Sequence, residues 1–400
     1  MRCFQADYVF PISSPPIRNG MVITEEDGSI VEVGEKLNLL PEYKNTPVEV
    51  KKGLLVPGFV NTHCHLELSG MKGLITQHTR MTGFIAEFIR KRSLGTDTDR
   101  DEAIEKAEEE MIKGGIVAVG DISNGKSSFP FKSKRKLHYH TFIEAFDLHP
   151  LKAAESFKQS LELREKLLTI CPGSEHQVSI VAHAPYTVSP ELHHLVTQFG
   201  RKEDSILSIH SQESQAEDQL FKEGTGPLMA MYERMNLDYS WFHKTGKSSL
   251  HSTLPFYDGS EKLLLVHNTY TSEEDLIWAS SFKSPILYWA TCPRANLFIE
   301  GSLPDYGLFL KHKLRVTIGT DSLASNTGLS ILEEMKSISK AHPEISLEIL
   351  LQWATLNGAN YLGIEDQFGS LQKGKKPGLV WIEGSAEPTL SENSKSTRLI

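Results

Sequence analysis

The 400-residue sequence predicts an α/β protein in which a TIM-like (β/α)8 barrel is inserted into a small β-sandwich. From residue 54 onward, apolar runs of strand length alternate with helical patterns, and there are eight such runs. Both ends of the chain instead contain short strand-like runs separated by Gly and Pro. We therefore expect residues 57–365 to form the barrel, and residues 1–56 and 366–400 to form the sandwich together.

The predicted barrel strands are Leu54–His63, Ile116–Asp121, Tyr139–Ala145, Gln177–His183, Ile206–His210, Leu263–His267, Ile286–Ala290 and Leu314–Asp321. Helical spacing of apolar residues fills most of the intervals, at Thr82–Arg92, Asp101–Lys113, Lys152–Leu168, Pro190–Phe199, Glu273–Ser281 and Leu329–Ala341. Strands that alternate with helices in this way are typical of a parallel sheet. A last helix is predicted over residues 346–362, ending near Gly363.

The terminal segments predict strands at Ala6–Phe10, Met21–Thr24, Ile30–Val33, Gly369–Leu371, Gly378–Ile382 and Ser396–Ile400. Two other stretches fit no regular element. Residues 124–136 are rich in Ser and Lys, which predicts a solvated loop. Residues 244–259 are polar and rich in turn formers, and both a lid and a surface excursion remain open for them.

Composition excludes several classes of protein. The net charge is −9 and no basic stripe is present, so nucleic acid is not an expected partner. The four cysteines are scattered without a C-x-x-C motif, which favours a reducing cytoplasm. Because no signal peptide or apolar run of membrane-spanning length is present, we expect no membrane association. A small-molecule substrate is the expected partner, and a homodimer is compatible with the sequence, which does not determine the oligomeric state.

A His-x-His pattern ends the first predicted barrel strand. Side chains alternate along a strand, so His63 and His65 point to one side and Cys64 points to the other. Two adjacent imidazoles suit Zn²⁺ or another borderline metal ion. An isolated His-x-His is nevertheless more often a pair of surface histidines, so the other strand ends must decide between the two interpretations.

Several other predicted strands also end in a metal-capable or titratable residue, at the barrel end where active sites lie: Asp121, His183, His210, His267 and Asp321. His63, His65, His210 and Asp321 are candidate ligands of one divalent ion. Zn²⁺ is favoured, and Fe²⁺ or Mn²⁺ are compatible. No Lys ends the fourth strand, which favours one metal over two. His267 is a candidate fifth ligand or a base for the bound water.

Glu213 follows His210 by three residues and has two open interpretations. It is a candidate acid that moves a proton to a substrate ring nitrogen. It is equally a helix N-terminal Glu favoured by the helix dipole. His183, within Ala182-His183-Ala184-Pro185-Tyr186, is a candidate for substrate contact.

These motifs together resemble the amidohydrolase superfamily, in the order in which its members carry them. They are Pro57–His65, His183–Ser189, His210–Glu213, Val266-His267, Cys292–Leu297 and Gly319–Ser322. Within it, the chain is similar to the mononuclear metal-dependent deaminases. The finer likeness, carried by His65–Ser69 and Asp321–Asn326, is to aminofutalosine deaminases of an alternative menaquinone route. The resemblance implies metal ligands at His63, His65, His210 and Asp321, a proton shuttle at Glu213, and a water-orienting role for His267.

The function expected from this resemblance is hydrolytic deamination of an aminated purine, such as the adenine nucleoside derivative aminofutalosine, with release of ammonia. The alternatives are deamination of S-adenosylhomocysteine, methylthioadenosine or guanine, and another amidohydrolase reaction such as chlorohydrolysis or cyclic-amide hydrolysis. A non-catalytic binding protein on a barrel scaffold is the rival class. Candidate substrate-binding residues are His183, Glu67, Arg294, Asn296, Ser325 and Asn326. For Arg294, pairing with a substrate carboxylate and a salt bridge at the barrel mouth remain equally open.

Overall fold

A computed structural model describes residues 1–35, 43, 45–173, 177–384 and 387–400. Within these ranges the first strands are β1 Arg2–Gln5, β2 Tyr8–Val9, β3 Ile17–Arg18, β4 Gly20–Thr24, β5 Ile30–Glu35, β6 Val48–Val50, β7 Leu54–Pro57, β8 Phe59–Cys64 and β9 Ile116–Ser123. The later strands are β10 His138–Ala145, β11 Gln177–Ala182, β12 Leu207–Ser211, β13 Lys262–His267, β14 Ile286–Thr291, β15 Val316–Ile318, β16 Leu379–Glu383 and β17 Lys395–Arg398.

The α-helices alternate with the central strands. The first seven are α1 Arg80–Lys91, α2 Asp97–Lys113, α3 Phe129–Lys132, α4 Ala153–Ile170, α5 Pro190–Lys202, α6 Gln215–Glu223 and α7 Pro227–Arg234. The others are α8 Ser249–Thr253, α9 Glu273–Ala279, α10 Pro293–Ile299, α11 Tyr306–Lys311, α12 Ile331–Ala341, α13 Leu347–Ala354 and α14 Leu356–Leu362. The mixed α/β content predicted from the sequence is confirmed. No helix of the described ranges has both the length and the apolar character needed to cross a membrane.

The chain divides into two compact units. The first contains residues 1–62, 108–119 and 330–400. It holds two sheets, with strand orders β5-β4-β1-β6 and β17-β16-β7-β2-β3. One apolar cluster takes Phe4, Val22 and Ile30 from the first sheet and Leu55 and Leu379 from the second. The tail thus pairs with the N-terminal strands: β16 lies antiparallel to β7, with Trp381 opposite Leu55.

The second unit contains residues 63–107 and 120–329. It holds the sheet β12-β13-β14-β15, whose neighbouring strands are all parallel. It also contains β10 and β11, which are parallel neighbours in a sheet of order β11-β10-β9-β8. Backbone hydrogen bonds link the ends of these sheets. His210 N donates to His183 O at 3.0 Å, and Thr320 N donates to His63 O at 2.9 Å.

The predicted barrel strands agree with the structure within a few residues except for the first and the last. The first prediction, 54–63, was wrong as a single strand, because β7 and β8 are separated at Gly58 and belong to different sheets. A Cβ at Gly58 would lie 2.5 Å from Pro377 O, so only glycine fits this crossing. The last strand is shorter than predicted, since β15 contains only Val316–Ile318.

Three other predictions were wrong. Residues 369 and 370 form a bend instead of a strand, Leu371 lies in no regular element, and Gly369 has a left-handed φ of 85°. The predicted last helix is divided at Thr355 into α13 and α14. The stretch 124–136 is not simply a solvated loop, because it contains α3, in which Phe129, Phe131 and Lys132 are buried. In residues 244–259, α8 has buried Ser249, Leu250 and Thr253, so part of this stretch is packed.

Candidate metal-dependent active site

Four predicted strand-end residues meet at one point of the second unit. Nε2 of His63 and Nε2 of His65 are 3.2 Å apart, and Asp321 Oδ1 lies 3.5 and 3.4 Å from these two atoms. His210 joins them, with its ring centroid 4.9 Å from that of His63. All four residues are buried. Cys64 belongs to none of the metal-capable groups found in the described residues, as its position on the opposite side of β8 predicts.

The spacing of these atoms fits a metal ion. Ligand atoms bound tetrahedrally at about 2.0–2.1 Å lie about 3.3–3.4 Å from one another. The three observed separations, 3.2, 3.4 and 3.5 Å, bracket that value. Two triads have ligand atoms within 4.8 Å of one another, namely His63–His65–Asp321 and His63–His210–His267. Imidazole nitrogens with one carboxylate are ligands typical of Zn²⁺.

The protonation states also favour metal binding. Burial lowers the pKa of His65 to about 3 and holds the pKa of His210 well below its ordinary value, so both rings are neutral near pH 7. The Nδ1–H of His210 donates to His183 O at 2.7 Å, which leaves Nε2 with a free electron pair. Burial acts to raise the pKa of Asp321, but the hydrogen bond from His63 and the nearby histidines lower it on balance. Asp321 is therefore a carboxylate.

Glu213 lies beside this cluster as a buried carboxyl. Its Oε1 is 3.5 Å from His267 Nε2. Burial, and then the charges of Asp321 and Glu300, raise the pKa of Glu213 well above its ordinary value. This shift favours the protonated form of Glu213, which is the form that can give a proton. β12 and β13 bring the two residues together, since Ser211 is the parallel partner of His267.

His267 has a defined tautomer. Its Nδ1–H donates to Asn296 Oδ1 at 2.8 Å, so Nε2 is left as an acceptor towards Glu213. Burial also lowers the pKa of His267, which keeps the ring neutral. Left-handed backbone at non-glycine residues recurs at these strand ends, with φ of 76° at His267, 55° at Asp321 and 47° at Gln212. Such strain is concentrated at functional sites, where the surroundings must hold it.

The predicted substrate-binding residues divide into two groups. Asn296, Ser325 and Asn326 are buried and hold other site residues. Asn296 accepts the bond from His267 described above. Ser325 Oγ donates to Asp321 Oδ2, and Asn326 Nδ2 donates to Thr320 O at 2.9 Å. The second group is Glu67, His183 and Arg294.

Each residue of the second group also has a protein partner. Glu67 accepts the backbone N–H groups of Asn124 and Gly125. The Nδ1 of His183 is 2.6 Å from Thr187 Oγ1. Arg294 donates to Thr327 Oγ1 on the exposed surface.

Sequence reasoning missed one carboxyl of the site. Glu144 at the end of β10 forms a third metal-capable group with His183 and His210. Its Oε2 accepts from Asn124 Nδ2 at 2.9 Å, and burial raises its pKa to about 7. The signal was present, because Glu144 is the one charged residue in the apolar run 139–145. Asn124 also links Glu144 to Glu67, because its backbone N–H donates to Glu67 Oε1. Burial likewise raises the pKa of Glu67 to about 7.

A second feature that sequence reasoning missed is the buried pair of Asp121 and Lys132, next to the backbone that follows His65. Asp121 was expected to face the site as a strand-end carboxylate, but its Oδ1 accepts the backbone N–H of Leu66 at 2.8 Å. Its Oδ2 is 2.6 Å from Lys132 Nζ, and both side chains have no exposed surface. Lys132 also donates to Ser123 and Thr141. The pair thereby fixes the backbone that follows the second histidine of the His-x-His motif.

The model of the amidohydrolase family matches residues 54–398. The chain belongs to the amidohydrolase family. This confirms the resemblance seen in the sequence motifs. Among amidohydrolases, it is 28% identical over 364 residues to an adenosine deaminase of Helicobacter pylori, covering 88% of this chain and 85% of the relative. It is 26% identical to an aminodeoxyfutalosine deaminase of Nitratiruptor, covering 89% and 86%.

Solved structures of a deaminase and of a chlorohydrolase share the fold. The aminofutalosine deaminase of Helicobacter pylori, in complex with methylthio-coformycin, superposes with a TM-score of 0.82 at 23% identity, and all of both chains is covered. The zinc complex of atrazine chlorohydrolase from Arthrobacter aurescens gives a TM-score of 0.71 at 17% identity, covering 95% of this chain and 86% of the other. At these identities the likeness is one of fold.

Proposed function

We propose that this amidohydrolase is a metal-dependent hydrolytic deaminase of an aminated purine, and that its substrate is an adenine nucleoside derivative such as aminofutalosine. The observation that carries the proposal is the buried carboxyl of Glu213, 3.5 Å from His267 Nε2, next to a metal-type cluster of histidines and one carboxylate. The two sequence relatives are a deaminase of adenosine and one of aminodeoxyfutalosine, and the match covers most of each. The reaction hydrolyses a carbon–nitrogen bond and releases ammonia.

We assign one divalent ion to His63, His65, His210 and Asp321, and Zn²⁺ is our preferred identity. The ligand spacing and the neutral imidazoles support this assignment. When bound, such an ion lowers the pKa of a coordinated water towards neutrality. Ser325 keeps one Asp321 oxygen occupied, so Oδ1 is the oxygen that remains for the metal site.

Glu213 supplies the acid of the reaction. Its proton passes to a nitrogen of the purine ring, which prevents negative charge from accumulating there while water adds to the carbon that bears the amino group. Asp321, a carboxylate, accepts one proton of that water and gives it to the departing amino group. The hydroxyl proton of the resulting adduct returns to Glu213 when the carbonyl forms. His267 orients the water through Nε2, and Asn296 fixes its tautomer. A positioned acid or base of this kind contributes about 10²–10⁴-fold to the rate.

We assign substrate contacts to His183, Glu67 and Arg294, whose side chains bond to Thr187, to the Asn124 backbone and to Thr327 instead of to a proposed metal ligand. Asn296, Ser325 and Asn326 act by positioning His267 and the Asp321 segment. This changes their expected role from substrate binding to support of the site.

For the whole chain we propose a (β/α)8 barrel of residues 57–365 and a β-sandwich of residues 1–56 and 366–400. The hydrogen bonds that link β11 to β12 and β8 to the end of β15 support closure of the barrel. The shared apolar cluster of the terminal sheets supports the sandwich. A cytoplasmic location and a homodimer remain predictions, which cell fractionation and light scattering test.

The experiment that tests this function is a screen for ammonia release. Aminofutalosine, S-adenosylhomocysteine, methylthioadenosine, adenosine, guanine and cytosine are each incubated with the purified protein, whose metal content is measured in the same sample. We expect ammonia from an adenine nucleoside derivative and about one divalent ion per chain. If no aminated ring releases ammonia while a chlorinated triazine or a cyclic amide is hydrolysed, the deaminase proposal is wrong. A protein that takes up no Zn²⁺, Fe²⁺ or Mn²⁺ contradicts catalysis altogether.

A further inference from the structure

The backbone between His210 and Glu213 has an unusual conformation. Gln212 has a φ of 47°, in the left-handed region that residues other than glycine rarely adopt. It is also buried, with 1% of its surface exposed. Such a conformation is unfavourable and persists only where its surroundings hold it. Since Glu213 is the next residue, whatever holds Gln212 also sets the direction of the Glu213 side chain.

Glu217 holds this backbone from α6. Its Oε1 accepts the N–H of Gln212 at 3.0 Å, and its Oε2 accepts the N–H of Glu213 at 3.2 Å. The side chain of Glu217 is fully buried. Ser214 caps α6, and a Glu three residues after such a cap ordinarily bonds back to the N–H of the capping residue itself. Here the carboxyl instead reaches the two residues that precede Ser214.

A second set of contacts fixes the side chain and carbonyl of Gln212. Its Nε2 donates to Asp275 Oδ2 at 3.0 Å, and its Oε1 accepts from Thr271 Oγ1 at 2.8 Å. The Gln212 carbonyl accepts from Tyr270 N at 3.0 Å. Every polar atom of Gln212 therefore has a partner. Among these contacts of the described residues, the Glu217 bonds are the ones that reach the backbone of Glu213, so Glu217 connects the network to the proton-transferring residue.

We propose that Glu217 is a positioning residue for Glu213: by binding two successive backbone N–H groups, it holds the strained Gln212–Glu213 segment so that the Glu213 carboxyl faces His267 Nε2. The two carboxylate oxygens of Glu217 thus bind the backbone N–H groups of Gln212 and Glu213, neither of which is a proposed metal ligand. The inference rests on the proposed role of Glu213 as the acid. It deepens that role by naming the residue on which the geometry of the acid depends.

The test is a double-mutant cycle with Glu217→Gln and Glu213→Gln, measured under single-turnover conditions with enzyme in excess. The Gln amide places an NH₂ against one of the two backbone donors and so loses one bond. A displacement of about 1 Å of a reacting group lowers the rate by about 10²-fold, and we expect a fall of that size in the turnover rate. In separate steady-state assays of Glu217→Gln, KM should stay within about threefold of the wild-type value. Metal analysis of the same variant should still find one ion per chain. Glu223→Gln, on the exposed end of the same helix, is the matched control and should have no effect.

The non-additivity of the Glu217→Gln and Glu213→Gln substitutions tests whether Glu217 acts through Glu213. If Glu217 acts through Glu213, then Glu217→Gln should lower the rate by less than about threefold in the Glu213→Gln background. An equal fall in both backgrounds, or no fall in either, overturns the positioning role. Full activity of Glu213→Gln itself would instead contradict the proposed acid, whatever Glu217→Gln does. If Glu217→Gln does not fold, Glu217→Asp, which keeps the carboxyl but shortens the side chain by one methylene group, serves in the same cycle with the same expected non-additivity.

Discussion

The buried pair of Lys132 and Asp121 gives a prediction whose size can be worked from the structure. At 2.6 Å, two unit charges attract by about 6 kcal/mol for an effective dielectric constant of about 20. The loss of solvation offsets much of this, but removal of one partner leaves the other charge buried and alone. Lys132→Met should therefore lower the free energy of unfolding by about 3–5 kcal/mol.

Urea unfolding followed by circular dichroism measures this change, with the slope of the transition checked for constancy. Lys134→Met is the control, because Lys134 lies two residues away and pairs with Glu105 at 2.9 Å on the exposed surface. That substitution should cost less than about 1 kcal/mol. Asp121→Asn combined with Lys132→Met removes both charges and keeps an acceptor for the Leu66 N–H, so the double variant should regain part of the lost stability.

Equal stability of Lys132→Met and Lys134→Met would refute this reasoning. A double variant less stable than Lys132→Met alone would show that the charges do not determine the cost. In either case the buried pair would not be what secures the backbone after His65.

Three further predictions concern pH and the metal. Burial lowers the pKa of His193 to about 3, so between about pH 6.5 and 3 the unfolded state binds one more proton than the folded state. The free energy of unfolding therefore falls by up to about 1.4 kcal/mol per pH unit as the pH is lowered. His193→Phe, which keeps a ring against Phe256, should lose about 2 kcal/mol less than the wild type between pH 6.5 and 5, and an unchanged pH dependence would contradict this. Glu300→Gln removes one of the charges that raise the pKa of Glu213, so the alkaline fall in the turnover rate should move to lower pH, whereas an alkaline shift would show that Glu300 does not act on Glu213 by its charge. Treatment with a chelator should abolish activity and lower the unfolding midpoint, and Zn²⁺ should restore both, because a bound ion stabilises only the folded chain; full activity after complete removal of metal would contradict the assigned site.

Much of the site could be predicted because its signals are local. His63 and His65 share one side of a strand by alternation alone, and His210, His267 and Asp321 end or follow apolar runs that a parallel sheet brings to one edge. The strands themselves were found for the same reason, since seven of the eight predicted runs overlap a single strand and their centres are apolar and buried. Asp321 follows its strand by three residues instead of ending it.

The rest depends on contacts between residues distant in the sequence. Asn296 was expected to bind substrate, but it meets His267, 29 residues away, and no pattern in either segment encodes that pairing. Lys132 was expected in solvent because Ser and Lys surround it, yet Asp121 on the neighbouring strand neutralises its charge and lets it be buried. Glu217 has the spacing of a capping residue, and only the left-handed turn at Gln212 redirects its carboxyl.

The central claim is that Glu213 acts as the acid of a metal-dependent deamination. Its most direct test is the ammonia released per nucleoside consumed by Glu213→Gln and by the wild type, with bound metal counted in both preparations. We predict one ion per chain in both proteins, one ammonia per nucleoside for the wild type, and almost no turnover for Glu213→Gln. A Glu213→Gln variant that keeps its metal and releases ammonia at the wild-type rate would contradict the account.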